Sequence, residues 1–95
     1  MIVEKGVIKY NSRTEKEEKT YKCKNKLLGL ALKKLLKNDR DIRIIKMSIK
    51  QCDIGIPYDF IVRYWSYADR IQAEKLLMEK YIFINLGYGE MITSK

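Results

Sequence analysis

The sequence has 95 residues, of which 46% are hydrophobic and 34% are charged. This length supports one modest core, and the composition is that of a folded chain, so we expect a single small basic domain spanning residues 1–95. No apolar run reaches the roughly 20 residues that a membrane-spanning helix needs, and the N-terminus lacks the layout of a signal peptide. These observations predict a cytoplasmic protein without a membrane partner.

The residue types that support catalysis or metal binding are scarce. The chain has no histidine and only two cysteines, Cys23 and Cys52, whereas a zinc site needs about four sulfur or imidazole ligands. Histidine is also the commonest proton-transfer group near neutral pH, and no glycine-rich segment leads into a helix to hold a phosphate. We therefore expect no catalytic residue, no metal and no cofactor. Lysines on either side of Cys23 favour a lowered thiol pKa.

Positive charge is concentrated in the first half of the chain. The formal net charge is +8, and residues 1–52 hold 15 basic and 6 acidic side chains against 5 and 6 in residues 53–95. Such an imbalance indicates a negatively charged partner, with nucleic acid first and an anionic membrane or an acidic protein after it. A second explanation is equally weighted: the chain uses three times more Lys than Arg, which codon bias in an AT-rich genome produces without any partner.

The stretch 58–65, YDFIVRYW, predicts a central strand because it combines aromatic and β-branched residues without glycine or proline. Side chains alternate across a strand. The predicted core face carries Tyr58, Phe60, Val62 and Tyr64. The opposite face carries Asp59, Ile61, Arg63 and Trp65.

The N-terminal third allows two arrangements. A strand is predicted at 7–10, starting near residue 2, and Ser12 with Glu15 or Thr14 with Glu17 forms a capping box for a helix start. We favour a long helix from this point. The alternative is a hairpin in which a strand at 19–24 pairs with 7–11, and the helix begins after Asn25 as N-cap.

Residues 21–36 show a helical period. The predicted apolar stripe consists of Tyr21, Leu28, Ala31, Leu32, Leu35 and Leu36. The opposite face carries lysines at Lys22, Lys26, Lys33 and Lys37. Turn-forming residues at 38–41 end the helix.

The remaining elements follow in order. A strand at 42–50 places Ile45, Met47 and Ile49 on the core side and Lys46, Ser48 and Lys50 outside, with a bulge indicated by Ile44 and Ile45. A hairpin loop at 53–57 leads to the central strand. Ser66 and Asp69 then cap a second helix to about Lys80, whose apolar side is expected from Ala68, Ile71 and 76–78. A last strand covers 81–86, and 87–89 turn into a short tail.

An internal repeat suggests the topology. Residues 7–12 followed by Glu15 resemble residues 61–66 followed by Asp69: each is a short strand, a base, a tyrosine and a serine cap. Two such units predict an α+β fold, a two-layer βαββαβ or ferredoxin-like sandwich with two helices on one face of a four-stranded antiparallel sheet.

The uncovered sheet face then becomes the candidate site. Cations bind phosphates, and an aromatic ring stacks on bases at about 1–3 kcal/mol each. We therefore expect a non-enzymatic module that binds nucleic acid with low specificity, leaving RNA against DNA open. The site residues predicted on the sheet are Lys9, Lys46, Lys50, Arg63 and Trp65, joined on the first helix by Lys22, Lys26, Lys33 and Lys37.

Two alternatives use the same surfaces. The uncovered face could pack on a second copy of the chain, with Trp65 as anchor. The protein could also be a small regulator or inhibitor of a larger acidic protein, of the kind that viruses and mobile elements encode. The helix lysines also have a structural interpretation, because lysine is a strong helix former on any solvated face.

Overall fold

The computed structural model describes residues 16–95 except 54, 56 and 88. Two α-helices and five β-strands form in these residues, in the order strand, helix, strand, strand, helix, strand, strand. The strands are β1 (Glu17–Cys23), β2 (Ile44–Gln51), β3 (Tyr58–Tyr64), β4 (Tyr81–Asn85) and β5 (Glu90–Ser94), and the helices are α1 (Lys26–Lys37) and α2 (Tyr67–Lys80). The expected strand near residues 2–10, its serine cap and the first copy of the internal repeat lie outside the described residues.

Residues 17–23 form a strand, so the long N-terminal helix is wrong. Tyr21 and Cys23 are fully buried on the side of β1 that faces the helices, and Thr20 and Lys22 point the other way. That spacing of two belongs to a strand. The helix start of the hairpin alternative is confirmed: Asn25 accepts a hydrogen bond from Leu28 N–H at 2.9 Å and caps α1. The pairing of this strand with 7–11 lies outside the described residues.

The apolar side of α1 packs on the sheet. Leu28, Leu32 and Leu36 are buried, spaced by four residues as one helical stripe requires. Gly29 lies against Ile49 of β2, where a β-carbon would stand 3.3 Å from the isoleucine side chain. This close approach brings the helix down onto β2. Ala31, expected in the stripe, is exposed.

The five strands are ordered β2-β3-β1-β5-β4 in one mostly antiparallel sheet. β3 pairs antiparallel with both β2 and β1, while β1 and β5 run parallel through Tyr21 and Lys22. The prediction of four strands is therefore corrected to five. Two of the five were not expected: β1, where a helix was predicted, and β5, which occupies the region expected to be a tail and pairs antiparallel with β4.

The alternation along β3 is confirmed. Phe60, Val62 and Tyr64 are fully buried under the helices, and Arg63 on the opposite side is exposed. The bulge in β2 is also confirmed, since its register with β3 shifts between Ile44 and Lys46. The extra residue moves Ile45 out of the core position that was expected for it, and the side chain is exposed.

The second helix begins at its expected cap. Ser66 accepts a hydrogen bond from Asp69 N–H at 3.3 Å. Of the expected apolar positions, Leu77 is buried and Leu76 is half-buried against the core, whereas Ala68, Ile71 and Met78 are exposed. Ala73, which was not expected, is also buried. Neither described helix has the length and apolar character needed to cross a bilayer.

Candidate nucleic-acid-binding surface

The side of the sheet away from the helices, here called the open face, brings basic residues of two strands together. Lys46 of β2 lies opposite Arg63 of β3, and Lys50 lies opposite Asp59. Lys46, Lys50 and Arg63 are all exposed. The pairing register of β2 and β3 thus groups three of the predicted site residues.

These side chains surround a shallow depression of about 350 Å³ on the open face. Its lining consists of Glu18, Lys46, Ser48, Lys50, Ile61 and Arg63. Three cations and one carboxylate give the depression a positive balance. Ser48 adds a hydroxyl that donates and accepts, and Ile61 adds a half-buried apolar floor.

Lys46 also lines a second depression of about 280 Å³, between β2 and the C-terminal half of α1. Lys33 and Lys37 of α1 line the same depression, together with Asp39. Because β2 is at the edge of the sheet that the described strands form, Lys46 connects the helix side with the open face around that edge. We call this set the β2 basic surface; its members are Lys33, Lys37, Lys46, Lys50 and Arg63.

Lys22 does not lie on the helix, as the sequence predicted, but in β1. Its Nζ is 2.8 Å from Oδ1 of Asp59 on the neighbouring strand, and the lysine side chain is mostly buried. This ion pair compensates one positive and one negative charge of the open face. Of the four lysines predicted as site residues on the first helix, Lys26, Lys33 and Lys37 lie in α1.

The other predicted site residues lie around this surface. Lys26 is the first residue of α1 and is exposed, at the end of the helix where the backbone dipole disfavours a cation. Trp65 follows β3 and is 48% exposed, with Nζ of Lys16 4.8 Å from its ring centre. Lys9 lies outside the described residues.

Cys23 is not an activated thiol. Burial, followed by the negative charge of Asp59, raises the pKa of Cys23 to about 11. The expectation that its flanking lysines lower the pKa is therefore wrong, because their charged ends are in solvent or paired elsewhere. In the part of the chain that the structure describes, no three side chains of the metal-binding types are grouped.

The sequence did not indicate the role of two features of the open face. The first is Glu18, which lines the open-face depression, whereas the sequence predicted a helix at this position. At the opposite end of the sheet, Ile82 and Ile84 of β4 are 45% and 38% exposed. Their register with Thr93 and Met91 places them on the same face as Lys22. The open face therefore has a basic end at β2 and an apolar end at β4.

Comparison with protein-family models, curated proteins and solved structures gives no match for this chain.

Proposed function

We propose that this protein is a non-enzymatic module that binds nucleic acid with low sequence specificity through the β2 basic surface. The observation that carries the proposal is the position of Lys46, which lines both the open-face depression and the depression beside α1. Five cationic side chains around one edge strand can follow a phosphate backbone over the edge of the sheet.

The charge of the whole protein supports the same conclusion. A net charge of +8 on 95 residues attracts polyanions over several ångströms of solvent and speeds their encounter. Phosphate contacts supply affinity but carry no sequence information. Since the site is built mainly from lysines, which act as flexible point charges, low specificity is expected.

Trp65 supplies a ring on which a base can stack, a contact that the basic residues do not provide. Its half-exposed ring is next to β3, two residues from Arg63, where a base from an unpaired strand can stack. We therefore expect single strands to bind at least as tightly as duplexes of the same length.

Fluorescence anisotropy with labelled single- and double-stranded oligonucleotides, over a series of salt concentrations, tests the proposal. A dissociation constant tighter than about 0.1 mM at physiological salt is expected, with affinity falling steeply as salt rises. Weaker binding, or binding that salt leaves unchanged, contradicts the proposal.

A matched pair of triple variants tests the location. Lys46→Ala/Lys50→Ala/Arg63→Ala removes three charges from the surface and should make the slope of log affinity against log salt less steep by about 2–3, at about 0.7–0.9 per contact. The control, Lys24→Ala/Lys75→Ala/Lys80→Ala, removes three exposed charges elsewhere. Equal losses in the two variants would place the binding outside the β2 basic surface.

For the fold, we propose a ferredoxin-like arrangement to which β5 has been added. β3 lies between β1 and β2 and is antiparallel to both, as in that topology. The position beside β1 is held by β5, and β4 lies one place further out.

A protein–protein module is the second candidate function. The apolar end of the open face favours it, because Ile82 and Ile84 are exposed side by side on a strand at the edge of the sheet. An acidic protein is the alternative partner, and it would bind the β2 basic surface instead.

A further inference from the structure

We infer that two copies of this chain associate by pairing their β4 strands antiparallel, which joins two five-stranded sheets into one. The inference rests on the second candidate function, the protein–protein module, names a second copy of the chain as the partner, and is independent of nucleic-acid binding. It differs from a face-to-face dimer anchored by Trp65, since the contact is an edge and lies at the other end of the sheet.

The two edge strands of the sheet are built differently. Proteins use lysines, a proline or a bulge to keep an edge strand from pairing with another chain. β2 has both Lys46 and Lys50, and a bulge beside Ile44. β4 has the sequence YIFIN, with no charge, no proline and a regular register. Among the described strands, none covers the outer side of β4.

The outer side of β4 presents the backbone groups that pairing needs. Leu86 N–H donates to the Gly89 carbonyl at 2.8 Å, which makes this pair a hydrogen-bonded one. Hydrogen-bonded pairs alternate along an antiparallel ladder. The N–H and C=O groups of Ile84 and Ile82 therefore point to β5, and those of Tyr81, Phe83 and Asn85 point outward.

The strand is complementary to itself. A two-fold axis beside Phe83 pairs this residue with its own copy and Tyr81 with Asn85 of the second copy, so that the outward groups of both strands meet. In this register Ile82 of each copy lies opposite Ile84 of the other, which makes two such pairs on the open face. Non-hydrogen-bonded pairs bring side chains closest, and β-branched side chains stabilise such cross-strand pairs.

Charge permits this contact despite the net charge of +8. Residues 81–94 carry one charged side chain, Glu90, which Lys19 pairs at 3.0 Å. Strand β2, which carries Lys46 and Lys50, lies four strand spacings from β4, roughly 19 Å at about 4.8 Å each. The two copies therefore meet at their neutral ends, with the basic ends facing outward.

Sedimentation velocity of the full chain without nucleic acid tests the inference, over about 1 µM to 1 mM, the range of weak complexes. The sedimentation coefficient should rise with concentration from that of an 11.3 kDa monomer to that of a dimer. A full chain that stays monomeric throughout overturns the inference, whatever covers β4. Because no oligonucleotide is present, that result would leave the proposed nucleic-acid function intact.

Two designed variants test the register, and circular dichroism confirms that each is folded. Ile82→Lys/Ile84→Lys places like charges opposite each other and should abolish the dimer. Ile82→Lys/Ile84→Glu places a lysine opposite a glutamate in both symmetric contacts and should restore it. Leu27→Lys, at a 77% exposed position of α1, is the control and should behave as the unchanged chain. A dimer in the first variant, or a monomer in the second, overturns this pairing.

Discussion

The hydroxyl of Tyr21 donates a hydrogen bond of 2.7 Å to Oε2 of Glu74. Tyr21 is fully buried in β1, and Glu74 is buried on α2. The hydroxyl of Tyr64 lies 2.7 Å from that of Tyr21. Since Tyr21 has a single O–H proton and gives it to the carboxylate, Tyr64 is the donor in the second bond. Arg70 and Lys19 complete the carboxylate's partners at 3.1 and 3.4 Å, so a chain of polar groups fastens α2 to the centre of the sheet.

Removing the Tyr21 hydroxyl, which lies between Tyr64 and Glu74 in this network, should lower the stability of the fold. Tyr21→Phe keeps the ring contacts with Phe60 and Phe83 but leaves Tyr64 and Glu74 each without one partner. We expect a loss of about 1–3 kcal/mol in the free energy of unfolding, the cost of leaving buried polar groups unsatisfied, measured by urea denaturation. Tyr67→Phe, at an exposed site, is the control and should change stability by less than about 0.5 kcal/mol. Equal losses would show that the network contributes nothing specific.

The same network predicts alkaline sensitivity. Burial, together with the neighbouring Tyr64 and the Glu74 carboxylate, raises the pKa of Tyr21; burial also raises that of Tyr64. Both stay neutral in the folded state, whereas in the unfolded chain tyrosines ionise near pH 10. The stabilisation of the folded state by these two hydroxyls is thus complete below pH 10 and is lost as the pH rises above it. Ultraviolet titration of the folded protein should leave at least Tyr21 and Tyr64, of the seven tyrosines, unionised until the protein unfolds. Ionisation of all seven in a folded protein would contradict this.

The lowered pKa of Asp69 predicts that stability is lost at acid pH rather than at alkaline pH. Burial acts to raise the pKa of Asp69, but hydrogen bonds from Arg43 N–H, the Ser66 hydroxyl and the Arg43 guanidinium outweigh it, and the pKa is lowered. The stabilisation is therefore present above the ordinary pKa near 3.9 and lost as the pH falls through the lower folded value. Asp69→Asn should cost about 1–3 kcal/mol at neutral pH, and the difference should shrink below about pH 4. Asp53→Asn, at an exposed site, is the control and should change stability at neutral pH by less than about 0.5 kcal/mol.

Trp65 and Tyr64 are neighbours in sequence with opposite environments. Tyr64→Ala should cost about 3–5 kcal/mol, as for other large core truncations, because its side chain is fully buried. Trp65→Ala should cost about 1 kcal/mol but weaken single-stranded oligonucleotide binding by about 1–3 kcal/mol if its ring stacks on a base. Thermal denaturation and anisotropy measure the two effects. A Trp65 loss as large as that of Tyr64 would place the indole in the core.

The sequence was sufficient for β3 and the capped start of α2. Along β3 the buried residues alternate strictly, and Ser66 with Asp69 is a local signal that acts within one turn. The same local reasoning failed at β1. Glu17 and Lys19 face the helices there, paired with Arg70 and Glu74, which lie more than 50 residues further along the chain. Because both faces of β1 carry charged residues, its sequence does not show the alternation of a strand. The ion-pair partners of Glu17 and Lys19 cannot be inferred from the neighbouring sequence.

The basic site could be predicted only where a strand had been identified. Lys46, Lys50 and Arg63 followed from alternation on β2 and β3, and their grouping followed from the register. Lys22 was misplaced together with β1. The connection of Lys33 and Lys37 with Lys46 depends on how α1 packs beside β2, which is set by the close contact of Gly29 with Ile49. Such tertiary geometry has no signature in either segment alone.

The position of β5 between β1 and β4 has a consequence for the order in which the chain folds. β1 can bind β3 as soon as residues 58–64 have been synthesised, yet its other neighbour is residues 90–94. Until those residues leave the ribosome, no described strand is available to pair with the outer side of β1 around Tyr21 and Lys22 or to hold β4 in the sheet. Pairing between such distant segments is slow, so the sheet should close as a late step, after synthesis of the domain is complete.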